Sequence, residues 1–304
     1  MVSSLRLAFL GVLLSACAPS NTEKESNTAA AARAATFVYA PALNRPHRES
    51  MRRSEEFSIP GSPLRNVEEW VMDWDVVVQQ ETNLFRRSMK LVALKIDVNG
   101  APAVRGDEIK ANPVTLDVLT DKDSNVVDVR GSEQFSAAIV ALGSPESQPL
   151  LRRIFSPERL KGLAIERSVE LHSDFVGRPA QPGSSWMANG ANPGSTRQIR
   201  VLGEAPCGTS RCVQVRREYE LDRSAIFADV SQRVGEYVKS QGGDPSKVAV
   251  QGMDLKLEDS LLIAPATMEY YAAEFLQDMM LHVTGPNGEL PVKFKIQRRT
   301  EYRY

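Results

Sequence analysis

VQVRREYELD, residues 213–222, alternates along its whole length. Val213, Val215, Arg217, Tyr219 and Leu221 fall on one parity; Gln214, Arg216, Glu218, Glu220 and Asp222 fall on the other. Successive side chains of a β-strand point to opposite faces, so this is the pattern of a strand covered on one side and wetted on the other. It decides the fold because the same period of two recurs both before and after it.

Downstream, Asp222 can cap a helix whose apolar stripe is Ile226, Val230, Val234 and Val238, with Gly242-Gly243 ending it. Val248 and Val250 then share one strand parity, while Met253, Leu255 and Leu257 take the other, which predicts a bulge at Gly252. Residues 267–284 fit two periods. Met268, Tyr271, Ala272, Phe275 and Met279 suit a helix; Tyr271, Ala273, Phe275, Met279, Leu281 and Val283 suit a strand. The Pro286-Asn287-Gly288 turn and the alternation of Leu290, Val292, Phe294 and Ile296 beyond it favour a hairpin, so a strand is expected.

Upstream, Trp70, Met72, Trp74, Val76 and Val78 alternate, and Val92, Leu94, Ile96 and Val98 lead into the Asn99-Gly100 turn. Val114, Leu116 and Val118 make a further strand, turned back at Asp121–Asn125 into 126–130. Helical spacing follows: Ser132 as cap, then Phe135, Ile139 and Leu142; a short piece at 150–155; and a start at Ser156-Pro157-Glu158 running to about Leu171. Residues 177–195 read as a loop holding a short strand at Ser184–Ala188, and 198–202 as a strand. Thr36–Ala40 reads as a first strand, and 41–65, with Pro41, Pro46, Pro60 and Pro63, as irregular. The order predicts an α+β fold: a curled antiparallel β-sheet, an open or partly closed barrel, with a few helices on one side.

The N-terminus carries a different signal. Arg6 precedes the apolar run Leu7–Leu14, and Ser15 and Ala16 are small. The run is about half the roughly 20 residues a bilayer span needs, so it reads as a signal peptide. Leu14-Ser15-Ala16-Cys17 resembles the lipobox of bacterial lipoproteins. That resemblance implies removal of 1–16 and acylation of Cys17, leaving a protein held on the lipid bilayer of the cell envelope. Ala18, where Asp would imply retention at the inner membrane, leans the expectation to the outer membrane, facing the periplasm. Residues 17–35 are the expected tether and 36–304 a single β-rich domain. The strand-helix-strand layout also resembles the curled-sheet carriers LolA and LolB and related envelope lipoproteins, although the mid-chain helices depart from their usual arrangement.

Export sets the cysteine chemistry. With Cys17 acylated, Cys207 and Cys212 remain, five apart, and an oxidising compartment makes them a disulfide. The 37 Lys and Arg against 38 Asp and Glu provide no long-range field for nucleic acid.

Chemical motifs are sparse. Asp121-Lys-Asp123-Ser-Asn125 has Val126 and Ser132 where a calcium loop needs Gly and Glu, so a polar turn explains it better. His47, His172 and His282 form no metal-ligand spacing, and no cofactor is expected. His172, Asp174 and Ser184 or Ser185 invite a triad, yet neither serine stands in a nucleophile motif. The expected function is therefore non-catalytic: a binding module for an apolar ligand or lipid, with Trp70, Trp74, Tyr270 and Tyr271 as groove-lining candidates, or alternatively an interaction protein of the envelope.

Overall fold

The computed structural model describes residues 36–60, 65–104, 109, 114–189, 196–208, 210–220, 223–240, 244–285 and 288–304. Cys17 and the lipobox, the Asp222 cap and Gly242-Gly243 lie outside them.

Among the described residues, twelve strands form one antiparallel sheet. They are β1 (His47–Ser58), β2 (Arg65–Glu81), β3 (Leu84–Val98), β4 (Ala101–Val104), β5 (Val114–Thr120), β6 (Val126–Arg130), β7 (Ser185–Asn189), β8 (Thr196–Cys207), β9 (Ser210–Glu220), β10 (Ala249–Ala264), β11 (Glu269–Gly285) and β12 (Gly288–Arg303). The spatial order is β6-β5-β3-β2-β1-β12-β11-β10-β9-β8-β7, with the short β4 added on β3. The chain thus begins in the middle of the sheet, builds one half outward to β6, then returns from the far edge at β7 back to β12, which pairs with β1. Strands of 15 to 17 residues accumulate twist. Register shifts at Asp73/Trp74, Val201/Gly203, Val250/Gly252 and Leu262/Ile263 bend the sheet further.

Three helices connect the two edge strands: α1 (Ser132–Ala141), α2 (Gln148–Ile154) and α3 (Pro157–Phe175). α3 packs against both edges, β6 and β7. Ser168 of α3 donates to the Ser124 carbonyl in the β5–β6 turn, and Trp186 Nε1 of β7 donates to the Asp174 carbonyl at 2.7 Å. The sheet is not closed by hydrogen bonds; a helix bridges its open side. Residues 36–44 cross one end of the curl, from Arg178 and Pro265 to Val78 and Thr120. α4 (Arg223–Ser240) lies on β10. Among the described residues no helix is long and apolar enough to cross a membrane.

The helices fill much of the concave face. Trp70, Trp74, Leu91, Leu94 and Ile96 pack under Phe135, Ile139, Leu151 and Phe155, with Trp74 stacked on Phe135 at 5.4 Å between ring centres. A second cluster joins Phe37, Phe175, Ile199, Val215 and Ile263, and a third joins Val230 of α4 to Phe57, Met279, Leu281, Phe294 and Ile296.

Most local expectations are met. The Val98–Ala101 hairpin has Asn99 and Gly100 at positive φ, the bulge falls at Gly252, and 269–285 is a strand. Asp121 Oδ1 accepts from the backbone N–H groups of Asp123 and Asn125, both at 2.9 Å, so this segment is a side-chain-capped hairpin turn. Ser156 does cap α3, accepting from Arg159 N–H at 3.2 Å. Three expectations need correction. The stretch 41–65 is not irregular: it contains β1, whose charged residues hide its alternation but pair with both neighbours over its length. Thr36–Ala40 is not a strand; it contributes an isolated bridge from Thr36 to Pro179. Ser132 is not the cap of α1; Gly131 is, at φ 81°, where a Cβ would meet the Thr115 carbonyl oxygen at 2.7 Å.

Candidate ligand-binding cleft

Parity along β1 decides what faces inward. Phe57 is in the third apolar cluster, so His47, Glu49, Met51, Arg53 and Glu55 share its face. On β12, Tyr302, Thr300, Arg298 and Ile296 stand opposite Glu49, Met51, Arg53 and Glu55. A polar band therefore crosses the concave face between the apolar clusters.

At one end, Glu49 is 3% exposed. Its Oε1 meets His47 Nε2 at 3.1 Å and accepts from Arg87 Nη2. Burial alone pushes the Glu49 carboxyl up, but Arg87, the His47 hydrogen bond and Arg167 together hold it down at about 2. Arg167 of α3 donates to the Tyr302 hydroxyl at 2.9 Å and lies over the Tyr270 ring. Tyr302, and after it Glu49, raise its guanidinium above the ordinary arginine value. Desolvation raises Tyr270 and Tyr304 well above the ordinary phenol range.

A second network lies deeper. Asp174 of α3 is fully buried and accepts from Arg197 Nη2 at 2.9 Å and Arg217 Nη1 at 3.1 Å. Arg217 reaches Asp259 at 2.6 Å, and Asp259 also accepts from the Tyr219 hydroxyl at 2.6 Å. The charges balance, which is how buried ions are tolerated. Both carboxylate oxygens of Asp174 are thus committed to arginines; the His172 side chain lies outside the described ones.

Toward Phe57 the band carries Arg53, Glu55 and Arg298. Arg53 faces Glu55, and on the next strand it stands directly opposite Arg298. Glu55 itself stands opposite Glu68, and burial together with Glu68 raises its carboxyl against the pull of Arg53. Arg298 lies over the Phe275 ring at 5.5 Å and is exposed. Arg159, Leu163 and Arg167 recur every four residues on α3 and so share one face, with Leu163 42% exposed.

The four aromatic candidates separate. Trp70 and Trp74 are core residues beneath α1 and α2. Tyr270 and Tyr271 part at the bulge opposite Leu262/Ile263: Tyr270 pairs with Ile263 and turns inward to Tyr302, while Tyr271 packs with Leu262 beside Cys207 and Cys212. Those two cysteines are joined in a disulfide across the β8–β9 hairpin. Sequence reasoning missed Arg53, Glu55, Arg167 and Arg298. A usable signal existed for Arg298, Thr300 and Tyr302, which continue the parity of Phe294 and Ile296, and for Arg217, which shares the parity of Val213 and Val215. Charged groups on an apolar parity mark a polar interior. His282 sits elsewhere, between Asp254 at 3.5 Å and Glu289 at 3.3 Å. Among the described residues no group of three or more His, Cys, Asp or Glu could hold a metal. A separate shallow hollow of about 480 Å³, lined by Glu133, Ala137, Gln148 and Arg152 among others, shares none of the band's residues.

No family model matches the chain, and no curated protein matches it. Among solved structures, DynF from the dynemicin biosynthesis pathway of Micromonospora chersina aligns over 95% of this chain and 94% of its own, at 10% identity and a TM-score of 0.19. A DUF1329 family protein from Desulfovibrio piger aligns over 85% of each chain, at 10% identity and a TM-score of 0.16. A β-barrel-like DUF1849 protein from Brucella abortus aligns over 86% of this chain and 97% of its own, at 8% identity and a TM-score of 0.19. At such scores these likenesses carry no argument, and the curled sheet stands on its own strand order.

Proposed function

We propose that the chain is a lipid-anchored envelope protein, non-catalytic, whose curled sheet binds an apolar ligand or lipid. One observation carries the reading: Arg298, on the inward parity of β12, is exposed, and so is Leu163 on the Arg159–Arg167 face of α3, so the concave face is not fully covered. Ligand sites favour such concave, mixed surfaces with a few polar groups. The anchor is the acylated Cys17 that the lipobox implies, with the outer membrane as its address; two or three acyl chains make membrane attachment stable where one does not. Native mass spectrometry of the full chain isolated from cells tests the ligand: a co-purified lipid-sized mass is expected, and a bare chain in every charge state rejects it. Fractionation of Cys17→Ser tests the anchor, which fails if the variant matures normally and stays with the membrane.

The second reading is an interaction protein of the envelope without a small ligand. The three packed clusters favour it, since they leave the curl mostly filled. A stoichiometric protein partner cross-linked to the intact chain, with no bound lipid, would select this reading.

A further inference from the structure

Cross-strand like charges are destabilising, so a sheet that places two arginines opposite each other in its concave face needs a reason. Arg53 and Arg298 are such a pair, and the charges of Arg298 and Arg159 both act on Arg53, which burial already lowers from its ordinary value. Glu55 answers Arg53 alone. Among the described residues, no carboxylate lies within ion-pair distance of Arg159 or Arg298. The Nε of Arg53 is buried and has no hydrogen-bond partner. Beside these groups lie Phe275, under Arg298, and Met51 and Leu163, which join none of the apolar clusters.

From this juxtaposition we infer that the cleft binds an anionic amphiphile, its phosphate or carboxylate head held by Arg53, Arg159 and Arg298 and its chain laid along Met51, Leu163 and Phe275. Guanidinium groups match such heads with paired, charge-assisted hydrogen bonds. Glu68 stands on β2, the side of Arg53 away from Arg298, and together with Glu55, two residues along β1, biases the head toward Arg298 and Arg159. The inference rests on the ligand-binding reading above and gives that ligand a charge.

Isothermal titration calorimetry of the full chain with decyl phosphate, decyl glucoside and inorganic phosphate, each below any micelle concentration, tests it. Decyl phosphate is expected to bind one per chain, at least tenfold tighter than either of the others. Arg159→Gln with Arg298→Gln is expected to weaken decyl phosphate at least tenfold and leave decyl glucoside unchanged. The doubly substituted chain should melt within about 3 °C of the parent, because it loses like-charge repulsion and no ion pair, only the Arg298 contact with the Phe275 ring; a larger fall would make the arginines structural and overturn the inference. Equal affinity for decyl phosphate and decyl glucoside overturns the charged-head assignment while leaving a binding module in place. Inorganic phosphate binding as tightly as decyl phosphate overturns the chain. If none of the three binds, the binding module falls too.

Discussion

Asp174 and Arg197, one near the end of α3 and the other on β8, are 0% and 1% exposed and meet at 2.9 Å. The pair ties the bridging helix to the far half of the sheet. Removing one member of a buried ion pair strands the other and costs about 3–5 kcal/mol. Asp174→Asn should therefore lower the free energy of unfolding in urea by about that much, and a loss under 1 kcal/mol would show that the network is not holding α3.

Glu49 contributes to stability in acid. Its folded value of about 2 lies below the ordinary glutamate value, so its contribution is complete above about pH 4.5 and is lost as the pH falls toward 2. The span corresponds to about 3 kcal/mol as an upper figure. Glu49→Gln should flatten the stability profile across that window when denaturant midpoints are compared at each pH. A variant profile parallel to the parent's would refute this assignment.

The Trp74–Phe135 stack joins α1 to β2, and Phe135 is 0% exposed. Phe135→Ala leaves a cavity in a cluster that cannot collapse fully, and should cost about 3–5 kcal/mol. The check is chemical denaturation followed by tryptophan fluorescence.

Gly131 starts α1 in a left-handed conformation, with the Thr115 carbonyl where a Cβ would go. Gly131→Ala should destabilise by about 1–2 kcal/mol or more, from strain and the close approach together. A neutral result in a thermal melt would mean that the turn relaxes.

The Cys207–Cys212 disulfide closes a loop only five apart in sequence, across strands already paired. Replacing both cysteines by Ala should cost about 2 kcal/mol at most. Spectra of the folded state should be unchanged, since the hairpin register survives without the bond.

Period-two alternation was enough to identify most of the strands, because one face of each is covered and the other is wet. Turn chemistry at Asn99-Gly100 and the parity change at Gly252 were equally local, and they appear in the structure where the residues imply. β1 was hidden for a physical reason. Its inward positions carry Glu49, Arg53 and Glu55, whose burial is made tolerable by Arg87 on β3 for Glu49 and by the ion pair of Arg53 with Glu55, and no hydropathy pattern records a partner that lies far along the chain.

What the amino-acid order determined by itself is most of the strands and helices, each written within a few neighbouring residues. Tertiary structure alone decided that β1 meets β12 at the centre of the sheet, that α3 spans its two edges, and that a bulge separates Tyr270, beside Tyr302, from Tyr271, beside Leu262 and Tyr304. Those outcomes depend on pairing energies between segments up to about 250 residues apart, and it is there, where Arg53 faces Arg298, that the candidate site is made.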